Sequence, residues 1–351
     1  MRLIRYIFLV LICHLPYILA AKAPVFTEKD YLKHPPRIIR ACCAFGTDLK
    51  VSIIPGLRYT QLTSPELLGP HHYLGGKSEN NGILYTRRGG FVDFGHLRDL
   101  IDWTAYLYNL AKKSQQTGEI LINLGYESGN KSLYLKVPPT EKDEEILKLA
   151  CRIAYDISIF HEITSWFGAS AVPLLPEKFS SFSIEDAFSN MLGTKIAEKA
   201  INSDLPYEQA VTETIKQFLV ELETVSTKEE SYNAMEGVRD IWWTRKRHLP
   251  NNHVMIQREL GVYTKMTPWL VPGWESKNLT PCELTIPETT SDGIPLSEFY
   301  TLTYNLNNKI PLRKIFPERT KRVVTQNDFK QIIDYMAIGM QKKHIQYKLK
   351  K

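Results

Sequence analysis

Cysteine is scarce in this sequence, and its spacing does not suit a metal site. The 351 residues include five cysteines. No two stand in a Cys-x-x-Cys pattern, which argues against thiolate ligation of zinc. Four lie beyond the first twenty residues: Cys42, Cys43, Cys151 and Cys282. In an oxidising compartment one or two disulfides could form among them, although a bond between the neighbours Cys42 and Cys43 would be strained.

A strong net charge is absent as well. The formal charge of +6 is too small to indicate a nucleic-acid partner. The one basic cluster, residues 342–351, is most simply the solvated end of a helix, and weak contact with an anionic membrane surface is the alternative. After residue 20, no segment has the ~20 apolar residues that are needed to cross a bilayer.

Two hydrolase signatures are also missing. Zincins carry a second histidine four residues after the first, but Ser165 occupies that position after His161. No Gly-x-Ser-x-Gly motif occurs, which argues against the nucleophile elbow of an α/β-hydrolase. A catalytic site would have to be assembled from side chains on separate helices.

The N-terminal segment, by contrast, has a clear pattern. Arg2 and Arg5 precede a mostly apolar stretch, residues 6–19, and Ala20-Ala21 supplies small residues for a signal peptidase. The stretch is shorter than a membrane span. We therefore expect residues 1–20 to be a cleaved signal peptide, and the mature protein to be periplasmic or secreted without a transmembrane span.

The remaining residues, 21–351, are expected to form one domain of the α+β class, predominantly helical with a small antiparallel β-hairpin. Alternation of apolar and polar residues on both sides of a Ser-Gly-Asn turn predicts the hairpin. The expected regions are loops and short strands at 21–90, a helical core at 91–245 with the hairpin at 119–137, an irregular Pro/Trp-rich wrap at 246–326, and a C-terminal helix at 327–347.

Two predicted helices carry the candidate histidines. Asp93 is a suitable N-cap for a helix that runs to Gly118, with His96 in its first turn and Asp99 one turn further, within reach of the imidazole. Thr140 is the expected cap of a second helix that ends near Gly168. His161 continues the apolar face of that helix, so we expect it to be buried. The residues of this face are Ile146, Ala150, Ile153, Ala154 and Ile157.

A third predicted helix begins at Ser183, where Ser183-x-x-Asp186 has the form of a capping box. One of its faces is apolar. Another consists of small and polar residues, a row that would let a second element or a ligand approach closely: Asp186, Asn190, Gly193 and Ala197.

Taken together, five segments resemble an uncharacterised family of exported bacterial proteins, domain of unknown function 4056. The resemblance implies a bacterial envelope setting and one continuous domain, but no activity. The segments are 35–43 (PPRIIRACC), 89–99 (GGFVDFGHLRD), 161–168 (HEITSWFG), 182–193 (FSIEDAFSNMLG) and 268–272 (PWLVP).

Three functions fit these residues. The first is a metal-dependent hydrolase in which Glu162 acts as general base toward water on a divalent metal such as zinc. Its ligands would be drawn from His96, His161, Asp99, Asp186 and Asn190. The second is metal-free catalysis in which His161 activates Ser165.

The third function is non-catalytic: a binding or structural protein of the envelope, with an unknown small-molecule or envelope ligand, in which the same side chains form a buried polar network. An enzyme requires these side chains to converge on an open cleft. A structural network would consume their polar atoms under a closed surface.

Overall fold

The computed structural model describes residues 35–36, 40, 45–46, 49–50, 58–59, 62–169, 177–244 and 255–349. The regular structure in these residues consists of helices and small antiparallel sheets, which confirms the predicted α+β class. The helices are α1 Phe94–Thr117, α2 Asp143–Trp166, α3 Asp186–Ile201, α4 Tyr207–Glu221, α5 Lys228–Gly237, α6 Leu312–Ile315 and α7 Phe329–Leu349. The strands are β1 Leu49–Lys50, β2 Arg58–Tyr59, β3 Ile83–Thr86, β4 Gly90–Asp93, β5 Ile120–Tyr126, β6 Gly129–Leu135, β7 Lys265–Met266, β8 Leu284–Thr285, β9 Tyr300–Leu306 and β10 Val323–Thr325.

Helices α1, α2 and α3 pack on one another through one hydrophobic core. As predicted, Asp93 caps α1: its carboxylate accepts hydrogen bonds from the backbone nitrogens of Gly95 (2.6 Å) and His96 (3.3 Å). The small residues on α3 allow the close approach that their pattern predicted. A Cβ atom at Gly193 would lie 2.4 Å from the backbone oxygen of Leu97, so only glycine fits against α1 here.

A four-stranded antiparallel sheet with the order β10-β9-β6-β5 packs beside these helices. The hairpin β5–β6 is the one that the sequence predicts, with a bulge between Asn123 and Gly125. Strand β6 pairs along its whole length with β9, from Gly129 opposite Leu306 to Leu135 opposite Tyr300. Through this pairing the hairpin is joined to a strand from the C-terminal part of the chain.

Several local predictions are corrected by the structure. Helix α2 begins at Asp143 after Lys142, and not at a Thr140 cap. Helix α3 begins at Asp186, and only half of the expected capping box is present, because the Ser183 hydroxyl donates to Glu185 Oε2 at 2.6 Å. The irregular region expected at 246–326 contains β9 and β10, two strands of the main sheet.

Other predictions fall outside the described residues, namely the signal peptide at 1–20, the pair Cys42-Cys43, and the side chains of the basic cluster at 342–351. Within the described part of the chain Cys151 and Cys282 are free cysteines and are not bonded to each other. Among the described helices, none combines the length and apolar character that crossing a bilayer requires.

Candidate metal centre

A cavity of about 710 Å³ opens between α1, α2 and the β5–β6 hairpin. His96, His161, Asp99 and Asn190 all line it, and the imidazole centroids of His96 and His161 lie 6.0 Å apart. A much smaller void of about 10 Å³, the size of one water molecule or ion, lies against Glu162, Asp186 and again Asn190. Of the seven candidate side chains from the sequence, all except Ser165 line either the large cavity or the small void. Asn190 lines both.

Carboxylates surround His96 on two sides. Its Nδ1 lies 3.9 Å from Glu162 Oε1 and its Nε2 lies 3.5 Å from Asp186 Oδ1. Asp93 completes the group, because Asp93, His96 and Asp186 each offer one ligand atom and these atoms all lie within 4.8 Å of one another. Ligands at ~2.1 Å from one ion lie roughly 3.0–3.4 Å apart at tetrahedral or octahedral angles, so a small adjustment would bring this group around a cation.

The facing oxygens of two of these acids have no hydrogen-bond partner among the described residues. Glu162 Oε1 and Asp186 Oδ1 are buried and accept no hydrogen bond from any residue that the structure describes. Their other oxygens are engaged: Glu162 Oε2 accepts from the Phe182 nitrogen at 2.6 Å, and Asp186 Oδ2 accepts from the Ser183 nitrogen at 3.2 Å. Leaving buried oxygens unpaired costs free energy, which a bound cation would recover.

The electrostatic environment of this cluster of acids favours a bound cation. Burial, and after it the neighbouring charges of Glu162, Glu185 and Asp93, raise the pKa of Asp186 well above its ordinary value. Burial likewise raises the pKa of Glu185 to about 8. The nearby guanidinium of Arg258 is buried, which lowers its pKa to about 10, and it supplies positive charge to the same acids. A cation among the carboxylates would relieve their mutual repulsion.

His161 has different surroundings. Its Nδ1 lies 2.6 Å from Glu127 Oε1 at the tip of the hairpin, and Glu127 Oε2 accepts a hydrogen bond from Lys131 at 2.7 Å. Burial opposes a charge on the imidazole, but Glu127 outweighs it and raises the pKa of His161 to about 9. His161 is therefore an imidazolium at neutral pH, a proton donor at the wall of the cavity.

Asp99 belongs to a second network. Its Oδ1 accepts a hydrogen bond from Arg40 Nη1 at 2.7 Å, and the same nitrogen donates to Asp102 Oδ2 at 2.7 Å. Burial raises the pKa of Asp99 to about 8, although Arg40 acts against it. This network holds Arg40 against α1, and the sequence interpretation of Asp99 as the partner of His96 did not anticipate it.

Ser165 is not among the residues that line the large cavity. Its hydroxyl is buried and lies 3.5 Å from Glu177 Oε2. That position gives no support to a serine nucleophile.

Comparison with known proteins identifies a family without a known activity. Residues 31–272 match the family described as "Protein of unknown function (DUF4056)", which is more than half of the chain. The chain belongs to this family. A search of curated proteins and a search of solved structures found no match.

Within the matched DUF4056 region lie all the residues of the His96 cluster and the dyad of His161 and Glu127. Two residues of the site, Asp93 beside His96 and Glu127 at the cavity wall, were missed from the sequence. Asp93 was interpreted only as a helix cap, although its position three residues before His96 places both on one side of the first turn. Glu127 lies in a turn, where no local pattern indicates that it meets α2.

Proposed function

We propose that this protein is a divalent-metal-dependent hydrolase. One observation carries the proposal: a buried imidazole, His96, lies among carboxylate oxygens that lack hydrogen-bond partners in the described part of the chain, next to a cavity large enough for a substrate. Oxygen donors with a single imidazole suit manganese or zinc. Asp93, His96 and Asp186 would ligate the ion.

Glu162 and His161 would have complementary roles in proton transfer. Glu162 lies 3.9 Å from His96 and would accept a proton from water bound to the ion. The resulting hydroxide would add to the carbonyl or phosphoryl centre of a substrate in the cavity. His161, held by Glu127, would donate its proton to the departing group, so that one molecule of water is consumed. Asn190, which faces both spaces, would contact the ion or the substrate.

The experiment begins with metal binding. The purified chain is stripped with a chelator and titrated with Mn²⁺ or Zn²⁺, and stoichiometry and melting temperature are measured. We expect one ion per chain and a rise in melting temperature. In Asp186→Asn and His96→Gln both effects should be lost. Asp156→Asn is a matched control: Asp156 is an equally buried acid, but it pairs with Arg152 and Tyr300, so the variant should still bind the metal.

Hydrolysis is tested next on nitrophenyl carboxylate esters, nitrophenyl phosphate and a fluorogenic peptide. Activity should require the metal and should fall at least ~100-fold in Glu162→Gln. A wild-type chain that binds neither ion would overturn the proposal and favour the non-catalytic alternative, in which the same residues hold the helices together or bind an envelope ligand.

A further inference from the structure

A single turn touches both of the carboxylates that face His96. Residues 181–183 connect a short 3₁₀ helix, Glu177–Phe179, to the start of α3, and Phe182 has a left-handed φ of +53°. A side-chain-bearing residue rarely adopts this conformation. The backbone nitrogen of Phe182 donates to Glu162, and that of Ser183 donates to Asp186. Each bond fixes one carboxylate oxygen and leaves the other near His96.

Two residues of a later segment, Arg258 and Glu259, hold the turn at 181–183 in place. The Glu259 backbone nitrogen donates to the Phe182 oxygen at 2.9 Å. The Arg258 guanidinium donates to the Ser181 backbone oxygen, and the same nitrogen lies 3.3 Å from the Ser181 hydroxyl. Arg258 also lies over the Trp166 ring, 5.3 Å from its centroid, at the end of α2. The guanidinium is thereby fixed between α2 and the turn.

Arg258 can influence a cation in two opposite ways. Its charge repels a cation, so its loss would tighten binding. Its hydrogen bond to the turn orients Glu162 and Asp186, so its loss would weaken binding. Outer-shell groups that orient metal ligands typically change affinity by about 10- to 100-fold. The chain of contacts from Arg258 to both carboxylates makes the second effect the larger.

We infer that Arg258 is a positioning residue for the cation, acting through the turn at 181–183 on Glu162 and Asp186. This inference rests on the function proposed above. Arg258 would not contact the ion itself. In the sequence it lies about seventy residues or more after Glu162 and Asp186, the two ligand-side residues that it positions.

The test uses the full chain and Co²⁺, whose visible absorption reports the coordination geometry. Arg258→Lys keeps the charge but loses the planar guanidinium, whereas Arg258→Met loses both. We expect both variants to bind Co²⁺ about 10-fold or more weakly and to give an altered spectrum. If the residue acted by charge alone, Arg258→Lys would bind as the wild type does and Arg258→Met would bind more tightly, which would overturn the inference.

Controls separate this inference from the proposed function and from simple unfolding. If wild-type protein binds none of Co²⁺, Mn²⁺ and Zn²⁺, the proposed function itself fails; if it binds Mn²⁺ or Zn²⁺ but not Co²⁺, the affinities of the same variants are compared with that ion. Arg152→Lys alters another largely buried arginine, paired with Asp156, and should leave Co²⁺ binding unchanged. If circular dichroism shows that both Arg258 variants fail to fold, Trp166→Leu is tested instead. This substitution removes the ring that packs on the Arg258 guanidinium. Unchanged Co²⁺ affinity in Trp166→Leu would contradict the inference.

Discussion

At the scale of single residues, the two histidines of the cavity differ in their partners. His96 has two carboxylate oxygens at 3.5 and 3.9 Å, longer than hydrogen bonds, whereas His161 is bound to one carboxylate at 2.6 Å. The His161 Nδ1 is already engaged by Glu127, and this carboxylate raises the pKa of His161, so the site favours a proton on the imidazole. The raised pKa of Asp186 has a different cause, burial and neighbouring acids, which a bound cation would offset. This is why we assign the ion to His96 and proton donation to His161.

Asp186→Asn should have opposite effects on stability with and without metal. Burial and neighbouring acids raise the pKa of Asp186, so its ionised form destabilises the metal-free fold, and the neutral amide removes that cost. We expect the metal-free variant to melt at least ~2 °C above the wild type. With saturating Mn²⁺ the order should reverse. A variant that is less stable in both conditions would count against a repulsive acid cluster.

Glu79 should make stability depend on pH in acid. Burial opposes its charge, but Arg40 at 2.6 Å, with Arg98 and His71 beyond it, lowers its pKa to about 2. A lowered pKa stabilises the fold above the unfolded value near 4.5, and this contribution is lost as the pH falls toward 2. The shift corresponds to roughly 3 kcal/mol. Urea unfolding of wild type and Glu79→Gln should differ by a constant amount above about pH 5, and the difference should shrink below it; a difference that does not change with pH would refute the assignment.

The sequence was sufficient to nominate His96, His161, Glu162, Asp186 and Asn190, because helical periodicity shows which side chains face inward. It could not assign their partners. Asp99 pairs with Arg40 and His161 with Glu127, contacts that join residues far apart in the chain. Periodicity within one helix contains no information about such contacts.

At the scale of elements, the closest helix contact is that of α3 against α1 at Gly193. A methyl group there would lie 2.4 Å from a backbone oxygen, and backbone cannot move aside as a flexible side chain can. Gly193→Ala should therefore destabilise the protein by about 1–3 kcal/mol in urea unfolding. Gly339→Ala is the control, because a Cβ at that position in α7 meets nothing within 4 Å and the change should stabilise by up to ~1 kcal/mol. Equal effects of the two substitutions would show that the helices can separate without cost.

Element boundaries with strong local signals were predicted well. Asp93, Gly118 and the hairpin turn mark their elements by local chemistry: the Asp93 carboxylate caps the first turn, and Gly118 has a positive φ. Strand β9 was missed because prolines before it suggested irregular structure, while the pairing that stabilises it comes from β6, distant in sequence. Capping at Thr140 failed because the first turn of α2 starts three residues later.

At the scale of the whole molecule, the fold extends beyond the region matched to the family. That match ends at residue 272, yet β9, β10 and α7 follow it. A chain ending at residue 272 would leave the β9-facing edge of β6 unpaired and uncover buried Leu133 and Leu135. We expect this truncated chain to aggregate or to lose cooperative melting, as measured by circular dichroism and size-exclusion chromatography. A soluble truncated chain with the wild-type melting temperature would show that the family region folds alone.

The pairing of β6 with β9 also joins the two sides of the cavity to distant parts of the chain. The hairpin that places Glu127 beside His161 ends at Leu135, but its partner strand, Tyr300–Leu306, lies more than 160 residues later in the chain. Contacts between such distant segments form slowly. The contacts among helices α1 to α3 lie within residues 94–201, whereas the pairing that holds Glu127 beside His161 needs residues 300–306, so the two sides of the cavity depend on distant parts of the chain.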